Sequence, residues 1–116
     1  MKTIHDSFNK VTLIAYQDQD LAKLAPTIEK ARELWTRLCA ETYARRGDIG
    51  SCVLGAGLQV RYAAPRKRSY SFKTIITASE VCCAQGSLVW EESVKEVIEF
   101  LKENGIEASY NPGYMD

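Results

Sequence analysis

The sequence predicts a single α+β domain of βαββαβ order, and three observations predict it. Between Cys52 and Tyr62 the even positions Cys52, Leu54, Ala56, Leu58, Val60 and Tyr62 are all apolar, while Gly55, Gly57, Gln59 and Arg61 stand among the odd ones. A period of two with one apolar face marks a half-buried strand. A second run, Tyr70 to Ala78, is rich in aromatic and β-branched residues, as a returning strand should be. Pro65-Arg66-Lys67-Arg68-Ser69 turns the chain between them, because proline fixes φ and donates no ladder bond. The third observation is that segments with apolar residues three and four apart lie on both sides of this hairpin, the spacing of amphipathic helices.

Taken in order, Met1 to Asn9 is polar and reads as a frayed or edge segment. Its His5 is the only histidine, and catalysis needs a positioned partner that the sequence does not supply. Lys10 to Gln17 is the first strand, with Val11, Leu13 and Ala15 on one face and Ile14 and Tyr16 on the other. Apolar residues on both faces suit a central strand. Asp18-Gln19-Asp20 makes a turn and supplies the N-cap of a helix. Ile28, Ala31, Leu34, Trp35, Leu38, Cys39, Thr42 and Tyr43 form the stripe of that helix, which is long. Pro26 either opens it after a separate turn or kinks it. Arg45 and Arg46 suit the last turn and Gly47 the stop. Beyond the hairpin, residues 80–87 form a connector, and Leu88 to Trp90 suggests a short extended piece. Glu91 to Asn104 reads as the second helix, with Ser93 and Glu96 at capping-box spacing and Val94, Val97, Ile98 and Leu101 as its stripe. Asn104-Gly105-Ile106 fits a glycine C-cap. Ile106 to Tyr110 is the last strand, and Asn111-Pro112-Gly113 turns the chain out.

This order is the ferredoxin-like, or split βαβ, sandwich: a four-stranded antiparallel sheet with two helices on one face. The even positions of the hairpin face the helices. The open face carries Ile14, Tyr16, Gln59, Arg61, Lys73, Ile75, Thr77 and Glu107. A mixed face of this kind is covered by a second copy or read by a ligand, and fold alone does not choose.

With 116 residues, 46% hydrophobic and 26% charged, the chain is one domain, residues 1–116, with enough mass for a real core. The apolar run Val11 to Tyr16 is too short to span a bilayer and lacks the basic flank of a signal peptide. The sequence therefore reads as that of a cytoplasmic protein with no membrane partner. Of the four cysteines, three sit inside apolar patterns, where a reduced thiol behaves as a small hydrophobe. Fifteen basic and fifteen acidic residues cancel, yet they are unevenly placed. Residues 37–79 hold eight basic and two acidic side chains, and residues 80–116 hold eight acidic and two basic ones. Such a dipole steers a charged partner or joins copies head to tail.

No motif here amounts to a catalytic signature. Gly55-Ala56-Gly57 lies inside a strand pattern, so close packing or a bulge explains it better than a phosphate loop, which leads into a helix. Cys82-Cys83 lacks the spacing and the companion ligands of a metal site, so no metal or cofactor is expected. Arg68-Ser69-Tyr70-Ser71-Phe72-Lys73-Thr74-Ile75 falls on the third strand of the predicted order. It resembles in part the stacking signature of RNA-recognition motifs, with a leading basic residue and two aromatics at the family's spacing. It departs in its serines, in Lys73 and in Ile75, and Thr12 stands where the first strand of that family has an aromatic. The likeness is local. A register that turned Tyr70 and Phe72 outward would send Lys73 inward at the cost of an unpaired buried charge, so both aromatics are expected in the core.

The resulting expectation is a non-enzymatic binding module that acts through its open sheet face and basic hairpin and self-associates into a homo-oligomer or small complex. The candidate binding residues are Arg61, Arg66, Lys67, Arg68 and Lys73. One alternative is nucleic-acid binding by these residues with Tyr70 and Phe72. Another is a small ligand, or an enzyme of unrecognised type, at a helix–sheet pocket lined by Trp35, Tyr43 and Trp90.

Overall fold

Helix α1 (Asp18–Arg46) runs for 29 residues, which at about 1.5 Å per residue is about 43 Å. The longest extent of the molecule is 44 Å, so this helix is its spine. The computed structural model describes residues 2–6, 8–47, 50, 53–64, 70–81 and 87–115. The basic tip Pro65 to Ser69, with Arg66, Lys67 and Arg68, lies outside the described residues, as do Cys52, Cys82 and Cys83.

The start of α1 is set by Asp20, whose Oδ2 accepts the Gln17 backbone N–H at 2.9 Å. That bond holds the Asp20 carboxyl below its usual range. Gly47 ends the helix at φ +75°, its N–H donating to the Tyr43 carbonyl at 2.7 Å. Pro26 lies inside the unbroken helix, and no separate turn precedes it. The buried residues Ala31, Trp35 and Cys39 recur every fourth position and place one stripe against the core.

The remaining elements are β1 (Lys2–Asp6), β2 (Val11–Ala15), β3 (Val53–Leu54), β4 (Gly57–Tyr62), β5 (Ser71–Thr77), α2 (Ala78–Val81), α3 (Ser87–Glu103), β6 (Ser109–Asn111) and β7 (Tyr114–Met115). Mixed α+β architecture is thus what forms, with three helices among the described residues. The four-stranded ferredoxin-like sheet is not. The main sheet has three antiparallel strands in the order β5-β4-β6. The segment read as a central first strand pairs instead with β1, as a two-stranded antiparallel ribbon. It meets the main sheet through one bridge, Tyr16 N–H to the Arg61 carbonyl at 2.7 Å and Ala63 N–H to the Tyr16 carbonyl at 2.9 Å. The reason lies in the supply of partners. Residues 2–6, read as frayed, satisfy one edge of β2, and β6 occupies the β4 edge over residues 57–59. A short pairing of β3 with β7 completes the strands.

Helix α3 starts earlier than the sequence suggests, so Leu88 to Trp90 is helical and Ser93 is internal. Ser93 is buried because it serves the core. Its Oγ accepts the Trp35 indole N–H at 3.0 Å and donates to the Val89 carbonyl at 2.7 Å. The C-terminus of α3 closes as expected: Ile106 N–H reaches the Leu101 carbonyl at 2.8 Å and Gly105 N–H the Lys102 carbonyl at 3.0 Å, with Gly105 at φ +80°. These are the two bonds of a Schellman cap. The core joins Trp35, Val94, Val97 and Leu101 of the helices to Leu58, Val60 and Ile76 of the sheet. Each such side chain contributes about 1.5–3 kcal/mol by burial.

Candidate binding site on the open sheet face

One extra residue in β5 decides which side chains face outward. Leu58 stands opposite Ile76, but the next pair is Gln59 with Thr74, followed by Val60 with Lys73 and Arg61 with Phe72. Ile75 is the surplus residue, a β-bulge. Because side chains alternate with a period of two, one inserted residue exchanges the faces of everything beyond it. Phe72 therefore shares the open face with Arg61 and is 52% exposed. Tyr70 is half-buried beside it. The expectation that both aromatics lie in the core is corrected for Phe72.

Lys73 shows why the cost foreseen for that register does not arise. It does turn to the helix side, opposite Val60. The position lies at the rim of the sheet, where its Nζ meets Asp18 Oδ1 at 3.1 Å and the Tyr62 ring at 4.8 Å. The Tyr62 hydroxyl donates to Asp18 Oδ2 at 2.9 Å. The Tyr62 hydroxyl and then Lys73 hold the Asp18 carboxyl below its usual range. Lys73 thus ties β5 to the first turn of α1, on the side of the sheet away from Arg61. Tyr16, also expected on the open face, is fully buried. Its hydroxyl donates to the Gly105 carbonyl at 3.2 Å and accepts the Glu107 N–H at 2.9 Å.

That last bond places Glu107 at the edge of the open face. Its Oε2 lies 3.7 Å from Arg61 Nη1. On the other side the Arg61 guanidinium sits 5.7 Å from the Tyr70 ring centroid, and Tyr70 meets Phe72 edge-to-face at 5.7 Å and 86°. Arg61 Nε is buried with no acceptor among the described residues. Between Gln59, Arg61, Phe72, Glu107 and Ser109 lies a cavity of about 240 Å³. An exposed ring beside a supported guanidinium can hold a flat ligand by stacking and an anion by charge.

The other candidate residues are dispersed. Trp35 and Trp90 are buried between α1 and α3, and Trp35 meets Tyr110 edge-to-face at 6.4 Å. Tyr43 is exposed on α1. A second cavity of about 330 Å³ lies between these helices, lined by Leu38, Glu41, Thr42, Arg45, Glu92 and Glu96. Glu92 within it pairs with Arg46. No group of three or more histidine, cysteine or acidic side chains among the described residues is placed to hold a metal ion. No helix among them is long and apolar enough to cross a membrane. His5 sits opposite Thr12 in the β1–β2 ribbon, outside the cluster.

The outward turn of Phe72 had one signal in the sequence. Ile75 and Ile76 are adjacent apolar residues in a strand where period two allows one inward position, which is how a bulge shows itself. Comparison with family models, with curated proteins and with solved structures finds no match to this chain.

Proposed function

We propose that the chain is a non-enzymatic binding module whose ligand-contacting surface is the open face of the β5-β4-β6 sheet around Arg61 and Phe72. The observation that carries this reading is the bulge at Ile75, which presents an apolar ring to solvent beside a guanidinium with an unused buried donor. A large exposed ring costs free energy in the unbound protein, and occupation by a ligand recovers it. The test is a ¹⁵N-resolved NMR titration of the whole chain with mononucleotides, a short single-stranded oligonucleotide, and acidic and neutral peptides, each separately. The expected result is that one class moves the signals of residues 57–62, 70–77 and 107–111, and that Phe72→Ala removes the effect. Shifts confined to the α1–α3 cavity, or equal shifts in the variant, would overturn the proposal.

Self-association in the cytosol belongs to the same proposal as its second half. Glu92, Glu96, Glu99 and Glu103 succeed one another at helical spacing along α3, and residues 37–79 carry the opposite charge. Copies joined by these surfaces would change particle mass with salt. Light scattering at low and high salt is the check, and a constant monomer mass at high protein concentration would remove this half.

A further inference from the structure

Resting on the open-face reading, we infer that the ligand is a single strand of nucleic acid, with one base stacked on Phe72 and its phosphate taken up by Arg61 in place of Glu107. Three features support this partner. The first is the ring itself. Bases of an unpaired strand are free to lie on an exposed aromatic side chain, whereas those of a duplex are already stacked. A cavity of about 240 Å³ beside Phe72, with Gln59 and Ser109 on its wall, offers such a base polar groups at its edge.

The second feature is the state of Arg61. A guanidinium has five N–H donors in a fork that suits phosphate oxygens. Here Nε has no acceptor among the described residues, and the facing carboxylate of Glu107 stands at 3.7 Å, beyond hydrogen-bond length. The Tyr70 ring holds the group from the other side. The charge is positioned, and its donors are underused. The third feature is charge complementarity. The charged residues of β4 and β5 are Arg61 and Lys73, both basic, and Lys73 is paired with Asp18 on the other side. The charge that the open face of these strands offers a ligand is therefore that of Arg61, which favours an anion. An extended peptide would pair through its backbone with the outer edge of β5, which would leave the Arg61–Phe72 cluster on the face unused.

Glu107 opposes phosphate binding as it stands, since a carboxylate beside Arg61 repels the anion. Its placement makes it an internal competitor: bound to Arg61 in the free protein, displaced by phosphate in the complex. Removing a positively charged contact weakens binding to any polyanion and neutralising Glu107 strengthens it, but if Arg61 is the phosphate site the gain from Glu107→Gln disappears in an Arg61→Ala background.

The experiment is fluorescence anisotropy with a labelled single strand of about twelve nucleotides, a length within the usual footprint of a sheet-face site. Single-stranded DNA, single-stranded RNA and the matching duplex are run across a salt series, with circular dichroism melts showing that each variant is folded. The expected results are that single strands bind more tightly than duplex, and that Phe72→Ala weakens binding about 5- to 100-fold. Arg61→Ala should weaken it and lower the salt slope by about one. Arg61→Lys should restore the slope but not the full affinity, and Glu107→Gln should tighten binding about 1.5- to 5-fold, the size of one relieved charge contact. Equal binding by parent and Phe72→Ala, or weaker binding by Glu107→Gln, would overturn the inference. Absence of any oligonucleotide binding while a peptide or mononucleotide shifts residues 57–62 would overturn it and leave the open-face proposal standing. Oligonucleotide binding that survives in Phe72→Ala and moves signals elsewhere would overturn both.

Discussion

Two tyrosines on neighbouring elements put the same hydroxyl to opposite uses. Tyr16 spends both its donor and its acceptor on the Gly105–Glu107 backbone. The Tyr110 hydroxyl is buried with no partner among the described residues. Burial first, then the Glu91 carboxylate and Cys39, push the Tyr110 hydroxyl up from 10.0 to about 12. Burial also raises Tyr16, with the Glu107 N–H acting against it. The sign comes from linkage. Each hydroxyl is an acid that ionises later when folded, so the unfolded chain loses its protons first. The stability they carry is whole below pH 10 and is lost as pH rises towards about 12. Tyr110→Phe should therefore flatten this alkaline decline. It should also raise stability at neutral pH by up to about 1 kcal/mol, because an unpartnered buried hydroxyl is a cost. Urea melts of parent and variant at neutral and alkaline pH check both statements. A variant less stable than the parent at neutral pH would show that the hydroxyl is satisfied.

At the scale of elements, legibility in the sequence divides by how local the cause is. The stripes of α1 and α3, the glycine stop at Gly47 and the Gly105 cap depend on neighbours within a turn, and they form where the spacing places them, except that Tyr43 at the end of the α1 stripe is exposed. The strand register depends on pairing across the hairpin. One residue, Ile75, is enough to carry Phe72 from the core face to the open one. Ser93 escapes a reading by spacing for a similar reason: its partner is an indole on another helix, which the pattern along α3 cannot reveal. The candidate site is legible in Arg61 and Glu107, hidden in Phe72, and misplaced in Lys73. Pro26 yields the clearest test at this scale. It sits inside α1 and offers no N–H to the preceding turn. Pro26→Ala should restore that bond and raise stability by about 1–3 kcal/mol. Thermal unfolding is the measurement, and an unchanged midpoint would mean that the first two turns add little to the cooperative unit.

Across the whole molecule, attachment is uneven. The helices and the β4–β5 pair share one core, while the β1–β2 ribbon joins the main sheet through the two backbone bonds at Tyr16. A two-stranded ribbon is marginal by itself. The amides of Ile4 and Leu13 should therefore exchange with solvent faster than those of Leu58 and Val60, by local opening. Hydrogen exchange read by NMR decides this, and equal protection in both sets would make the ribbon part of the global unit. The Tyr16 hydroxyl also has a consequence for the order of events during synthesis. Its bond to Glu107 spans 91 positions of the chain, and a contact that distant pays a loop-closure entropy before it returns anything. A nascent chain leaving the ribosome has the first strands in hand long before residue 107 emerges. The backbone bonds of Tyr16 to Arg61 and Ala63 can form once those residues have emerged, but the hydroxyl bond waits until Glu107 clears the exit tunnel, so the inner end of the ribbon is secured in two stages.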